Sequence, residues 1–265
     1  MFNDMDLSII IVNYKTRDKI KNCLKSVVES DLQGLNYEVI VVDNASGEDL
    51  SDLKSEIIDF KFIQSDINRG MGGGNNLGIM EAKGKFVLIL NPDTILKPAA
   101  IKVLFNYINS YSDVYIVGPK LLNIDLSLQL SCSRFPKLWT PILRRTFMGR
   151  FFRKHLDWFL MKNISHDIIQ EVDWLMGSCL LIRKEGFEGF DDKNFFMYFE
   201  DVDVCRRAKK IGKKVIYHPE AEVIHYHMRS SARYPWYIAI FKDKITKEHI
   251  KSWYRYFKKW GWKRK

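Results

Sequence analysis

The chain holds no CxxC pair, no Gly-Lys-Ser or Gly-Lys-Thr, no internal repeat and no low-complexity tract. Its four cysteines, Cys23, Cys132, Cys179 and Cys205, are widely scattered. That spacing argues against a structural zinc and a disulfide framework, and it fits a reducing compartment. The longest apolar runs are six residues (236–241) and five residues (86–90), far short of the roughly 18 that a membrane span needs. The first residues carry Asp4 and Asp6 but no basic region, so no secretory leader is expected. The missing Gly-Lys-Ser/Thr excludes a Walker-type phosphate loop.

Positive charge is abundant, and it is unevenly placed. Of a net charge of +10, residues 229–265 contribute twelve Lys/Arg against two Asp/Glu. Residues 134–162 add eight Lys/Arg against one Asp, so the rest of the chain nets −7. An acidic body with two basic segments is suited to a phosphate-bearing partner, nucleic acid or anionic lipid.

Continuous apolar runs at 7–12, 37–42 and 85–90 alternate with helically spaced segments at 17–30, 50–57 and 98–110. A short strand is expected at 61–64 and another at 114–117, followed by β character over 172–185 and two short strands within 215–227. This is the pattern of an α/β fold: a mostly parallel central sheet with helices on both faces. Ligands in such sheets bind beyond the carboxyl ends of the strands. Three of those ends read Asn13-Tyr14, Asp43-Asn44 and Asn91-Pro92-Asp93.

Four constellations could carry chemistry, and each has two readings. Asp43 is either a turn residue making a local Asx bond or an acceptor for a base or ribose at the sheet rim. "NRGMGGGNN" (68–76) either admits a ligand against bare backbone or packs tightly on a strand. Glu200, Asp201 and Asp203 complement a helix dipole. The aromatic wall of Phe195, Phe196, Tyr198 and Phe199 ahead of them would also raise a carboxylate's basicity, as a general base requires. His225 and His227 share one side of a strand end, as packed residues or as supplementary metal ligands. The last 34 residues place Ile250, Trp253, Tyr254, Phe257 and Trp260 on one stripe among Lys and Arg. That is a basic amphipathic helix, for which membrane contact is favoured over docking on the domain. Nucleic acid is not expected, since no nucleic-acid motif accompanies the charge.

In order, "SIIIVNYKTRDKIKNCLKSV", "VIVVDNASGED", "NRGMGGGNNLGI", "LILNPDT", "VGPKLL", "VDWLMGSCLLIRKEGF" and "FFMYFEDVDVCRRAKKIGKKVIYHPEAEVIHYH" resemble family 2 glycosyltransferases. They are most similar to the bacterial rhamnosyltransferase-like branch, over about residues 7–231. The resemblance implies a GT-A fold, with a nucleotide-binding half at 1–118, an acceptor half at 119–231 and a basic tail at 232–265. By position, Asn13, Asp43, Asn68, Arg69, Gly70, Asn75 and Asn91 would line the nucleotide. Asp93 and His225 would hold Mg²⁺ or Mn²⁺, and Asp201 would be the catalytic base of an inverting transfer. Glu200 and Asp203 would support that base or bind acceptor, beside Trp174, Gly177 and Ser178. Asn91 stands where the wider family has the first Asp of Asp-x-Asp, and an amide oxygen is a weaker ligand for a hard cation than a carboxylate.

The resemblance further implies a nucleotide-sugar donor, dTDP- or UDP-linked, with dTDP-L-rhamnose the leading candidate and UDP-galactose or UDP-N-acetylglucosamine as alternatives. The acceptor would be a saccharide or lipid-linked saccharide. The protein is expected to be cytoplasmic and peripheral on the inner face of the plasma membrane, against its anionic surface. A non-catalytic sugar- or lipid-binding partner is a competing class, opposed by the intact Asp93, Asp201 and His225. A nicotinamide-dependent oxidoreductase would rest on the glycine loop alone.

Overall fold

The computed structural model describes residues 5–226, 238–239 and 242–262. Asp4, His227, the 231/232 boundary and most of the apolar run at 236–241 lie outside the described residues.

In chain order the first elements are β1 (Leu7–Asn13), α1 (Arg17–Val28), β2 (Tyr37–Asn44), α2 (Ser51–Glu56), β3 (Lys61–Ser65), α3 (Gly70–Glu81), β4 (Phe86–Leu90), β5 (Thr94–Leu96), α4 (Ala100–Ser110) and β6 (Val114–Leu122). Then come β7 (Leu128–Gln129), β8 (Cys132–Ser133), α5 (Thr140–Arg145), a 3₁₀ turn (Phe147–Arg150), α6 (Arg153–Phe159), β9 (Gln170–Glu171), β10 (Trp174–Leu175), β11 (Cys179–Arg183), α7 (Glu200–Lys210), β12 (Lys214–His225) and α8 (Lys244–Trp260).

The main sheet runs β3-β2-β1-β4-β11-β6-β12-β5. Its β3-β2-β1-β4 side is parallel, as the apolar runs predict. Alternate side chains of β1 serve opposite faces. Ile9 and Ile11 meet α1, α2 and α4 on one side, and Ile10 and Val12 meet α3 and α7 on the other. Strand β11 is antiparallel to both neighbours, β4 and β6. Its run Cys179 to Ile182 is buried throughout, which is why it can sit in mid-sheet. The division drawn at 118/119 therefore falls inside β6, and one sheet serves both sides of it.

Where two short strands are expected near the end, a single strand, β12, runs through. Its register against β6 shifts between His218 and Glu222, around Pro219, which has no N–H for the ladder. The far end of β12 pairs antiparallel with β5, placing His225 opposite Thr94.

The C-terminal helix corrects the favoured reading of its stripe. Tyr256 and Phe257 are buried with Phe195, Phe199 and Val202, and Trp253 and Trp260 pack on that cluster. Trp253 Nε1 donates to Leu138 O at 3.1 Å, and Ser252 Oγ donates to Met197 O at 2.8 Å. Of the predicted stripe, Trp253, Phe257 and Trp260 face the domain, whereas Ile250 and Tyr254 are exposed. The stripe drifts because a straight helix turns 3.6 residues, and the true inner face includes Tyr256. At least that face of the helix is therefore taken by protein.

Phe257→Ala is expected to destabilise the fold by about 3–5 kcal/mol. Tyr254→Ala should change it by no more than about 0.5 kcal/mol. Urea unfolding measures both, and equal small effects would mean that α8 is not part of the core.

Candidate functional site

The site is assembled at the carboxyl ends of β1, β2 and β4. Asn13 and Asp43 end neighbouring parallel strands in register, and both are fully buried. Asn13 Nδ2 donates to Asp43 Oδ1 at 2.9 Å and to Glu48 Oε2 at 2.9 Å. Asp43 also accepts from Ser46 N at 3.1 Å and from the Ser46 hydroxyl. The local Asx turn is therefore present, and it holds the Asp43 carboxylate in one orientation at the rim.

The glycine run packs mainly on its own chain. A Cβ on Gly78 would lie 2.5 Å from Ile10 Cγ2, and one on Gly70 would lie 1.9 Å from Phe196 O. Gly70 also has φ +75°, which L side chains rarely adopt. Three N–H groups at the helix start already have partners. Arg69 N bonds Asn44 Oδ1 (2.9 Å), Gly70 N bonds Asn68 Oδ1 (2.8 Å) and Met71 N bonds Phe196 O (2.9 Å). The tight-packing reading of this loop is thus the one observed. Asn68 and Arg69 remain at the rim, with Arg69 Nε 3.3 Å from Ser65 Oγ. Asn75 turns inward, is 3% exposed and donates to Met71 O at 3.0 Å.

The Asn91-Pro92-Asp93 corner meets the end of β12. Asn91 N donates to Ser178 O at 2.9 Å, and Asn91 O accepts from Thr94 N and Thr94 Oγ1. Its side-chain amide makes no hydrogen bond among the described residues. Asp93 Oδ1 lies 3.5 Å from His225 Nε2, and Asp93 Oδ2 lies 3.9 Å from Lys19 Nζ. Burial opposes ionisation of Asp93, but the hydrogen bond and charge of His225 and the charge of Lys19 outweigh it and hold the carboxyl below its ordinary value.

His225 Nδ1 is 2.7 Å from Gln129 Oε1. Gln129 Nε2 donates to Asn123 Oδ1 at 3.0 Å, which orients Oε1 as the acceptor. The Nδ1 proton is thereby committed, and Nε2 presents either a second proton or a lone pair toward Asp93. One carboxylate, one imidazole nitrogen and the neighbouring Asn91 amide suit a divalent cation that takes its other ligands from water and phosphate oxygens. Among the described residues no cluster of three or more His, Cys, Asp or Glu could hold an ion unaided.

Glu200 and Asp201 open α7 after two aromatic residues, Tyr198 and Phe199, both at φ 68° in the left-handed region. That backbone is costly for bulky side chains and is held by the packing of Phe199 in the aromatic cluster. Asp201 Oδ2 accepts from Gly177 N at 3.0 Å, and Oδ1 accepts from Val202 N at 2.8 Å. Glu200 Oε2 is sealed from solvent without a hydrogen-bond partner. Burial pushes both carboxyls up, and the charge of Asp201 pushes Glu200 further, to about 8. The amides of Gly177 and Val202 oppose burial at Asp201, leaving it at about 6. Burial favours the neutral form of both carboxyls, and the two amide N–H groups on Asp201 favour the charge there over Glu200.

Asp203 must be removed from the acceptor set. Two residues along α7 its side chain faces away from Asp201, fully buried. It accepts from Arg207 Nε at 3.0 Å and Trp260 Nε1 at 2.7 Å, and it pairs with Lys259 at 2.8 Å. It fastens α8 to α7. Trp174 Nε1 donates to Arg134 O at 2.9 Å. Ser178 is buried with its hydroxyl unpartnered, beside the Gly177 turn.

Sequence reading missed Gln129, which orients His225, and Asn44, which ties β2 to the glycine loop. It also missed Asn76, whose amide brackets the backbone of Phe190 at 2.9 and 2.7 Å. Asn44 and Asn76 lie within quoted motifs but their contacts are not marked there, and Gln129 lies in no motif. Their partners lie 24 to 114 residues away.

Gln129→Leu is expected to weaken Mn²⁺ binding, measured calorimetrically with a nucleoside diphosphate present, by about 10–100-fold. Glu200→Gln tests the acid pair. A Glu200 carboxyl ionises near 4.5 when unfolded and near 8 when folded. Between those values the unfolded state binds fewer protons, so wild-type stability falls as pH rises. The Gln variant should lose that slope, with a melting temperature above wild type on the alkaline side of about pH 8.

A family model described as Glycosyl transferase family 2 matches residues 8–171. The low-salt glycan biosynthesis hexosyltransferase Agl10 of Haloferax volcanii is 34% identical over 211 residues, covering 77% of this chain and 62% of that protein. The rhamnosyltransferase WbbL of Escherichia coli is 29% identical over 261 residues, covering 94% of this chain and 91% of that protein. An N-acetylglucosaminyl-diphospho-decaprenol L-rhamnosyltransferase of Mycobacterium tuberculosis is 32% identical over 155 residues, 57% of this chain and 50% of that one. The chain thus spans less than two thirds of the archaeal and mycobacterial relatives. The fold recurs in the crystal structure of GalNAc-T7 with UDP, GalNAc and Mn²⁺, at TM-score 0.64 and 15% identity, covering 86% of this chain and 45% of that one. The GT-A architecture expected from the motifs is the architecture observed. With most of its length inside the family model, the chain belongs to glycosyl transferase family 2.

Proposed function

We propose that the protein is an inverting glycosyltransferase of cell-surface polysaccharide synthesis. It moves a sugar, L-rhamnose from a dTDP-linked donor as the leading choice, to a hydroxyl of a saccharide or lipid-linked acceptor. Supporting this choice, two relatives are named rhamnosyltransferases, and one name specifies a lipid diphosphate acceptor. A UDP-sugar donor is the second reading, favoured by the UDP in the structural neighbour. The site of action would be the cytoplasmic face of the plasma membrane.

The observation that carries the reading is the anchoring of Asp201. Two backbone N–H groups fix its carboxylate, and one of them belongs to Gly177 in the turn whose next residue, Ser178, bonds the metal corner at Asn91. Asp201 takes the proton of the acceptor hydroxyl as that oxygen attacks the anomeric carbon. Glu200 supports the base from beside it, since burial and the Asp201 charge favour its neutral form and leave the charge to Asp201. Asn68 and Arg69 line the nucleotide end at the rim, backed by the buried pair of Asn13 and Asp43. The Asp43 carboxylate would reach a base only by giving up its Ser46 contact. Asp93, His225 and the Asn91 amide would hold a divalent cation, which would supply positive charge for the diphosphate leaving group. Trp174 and Ser178 border the acceptor side.

Asp201→Asn should lower kcat by about 10²–10⁴-fold while dTDP- or UDP-sugars with Mn²⁺ still raise the melting temperature. In the wild type, kcat/KM should rise with pH through about 6, as Asp201 ionises. Unchanged transfer by the Asn variant would remove Asp201 from the base role. A melting curve that no dTDP or UDP ligand shifts would sink the donor assignment.

A further inference from the structure

The proposed chemistry uses the sheet rim, the Gly177 turn and the start of α7. It leaves unexplained the segment from α5 through α6, where large apolar side chains face outward. Phe151 is 78% exposed, and Phe147 and Trp139 are each 64% exposed. Met148 and Phe152 are exposed beside them. Single exposed apolar residues need no explanation, but five within fourteen positions form a patch that does.

The patch is built. Leu143 and Phe159 are buried beneath it. A Cβ on Gly149 would lie 2.4 Å from Leu143 O and 3.1 Å from Leu156 Cδ1. The turn backbone is pressed against α5, and Phe147, Met148, Phe151 and Phe152 are left on the solvent side. Arg150, Arg153 and Lys154 are exposed among them. The surrounding residues 134–162 hold eight cations and a single acid, Asp157, and that acid is paired with Lys162 at 3.0 Å.

We propose that the turn between α5 and α6 is a wedge that inserts Phe147, Phe151 and Phe152 into an anionic lipid surface, with Arg150, Arg153 and Lys154 on the headgroups. Aromatic side chains interleaved with cations, without acids, match a surface that is negative outside and apolar just beneath. The composition of both basic aromatic segments leads one to expect membrane contact; with the aromatic face of α8 covered, that role rests on this turn. The wedge also adjoins the acceptor side. The Phe159 ring, at the end of α6, lies 6.4 Å from the Trp174 ring, and Trp174 leads into the turn that holds Asp201. The wedge rests on the proposed glycosyl transfer only for its purpose, which is to bring a lipid-linked acceptor to that side.

The test is co-sedimentation of the full chain with phosphatidylcholine vesicles, with and without phosphatidylglycerol. Wild type should bind the vesicles containing phosphatidylglycerol and bind neutral ones far more weakly. A triple variant, F147S with F151S and F152S, should bind about tenfold more weakly or worse, with unchanged melting temperature and unchanged response to dTDP. Ile250→Ser with Tyr254→Ser on α8 should alter vesicle binding less than about twofold. The wedge is refuted if wild type ignores anionic vesicles, or if the triple variant binds them as well as wild type. It is equally refuted if the same three substitutions instead abolish self-association seen in sedimentation velocity. Loss of nucleotide response with vesicle binding intact would overturn the glycosyl-transfer reading and leave the wedge standing.

Discussion

The site depends on the antiparallel insertion of β11 between β4 and β6. That pairing places the start of β11 beside the end of β4, so the Asn91 N–H meets the Ser178 carbonyl. One residue earlier, Gly177 N reaches the Asp201 carboxylate. The proposed metal corner and the proposed base are thus joined through two adjacent residues of one turn. The other half of the corner comes from β12, whose pairing with β5 delivers His225 to Asp93. Both connections are backbone ladders, which give them little freedom to drift.

Electrostatics then divides labour between two adjacent acids. Glu200 and Asp201 share a crowded helix start, where two full negative charges are costly. Asp201 receives two amide N–H groups, and Glu200 Oε2 receives none. This asymmetry favours the neutral form at Glu200 and the charge at Asp201. Asp203, two residues on, is ionically tied to Arg207 and Lys259 on the opposite side of the helix. Three acids in four residues thus have three roles, set by what each one faces.

The aromatic, basic segments show how one composition serves two ends. In α8 the aromatic face is closed over α7 and the Phe195 loop. Around the 3₁₀ turn the aromatic side chains stay in solvent because Gly149 seats the backbone against α5. Helical spacing marks a face as apolar but does not say what covers it.

Much of the architecture is legible in the chain itself. The alternation of buried strands with amphipathic helices, the polar rim at Asn13, Asp43 and Asn91, and Asp93 and Asp201 as chemical candidates all follow from local pattern. Periods of 2 and 3.6 residues are properties of neighbouring residues, so a linear reading captures them. Tertiary structure decided where β11 lies, that β12 is one bent strand, that the glycine run packs on Ile10 and Phe196, and that Asp203 is a fastener. It also recruited Gln129 to His225 across 96 residues. Such contacts depend on which elements the sheet brings side by side, and no local period encodes that.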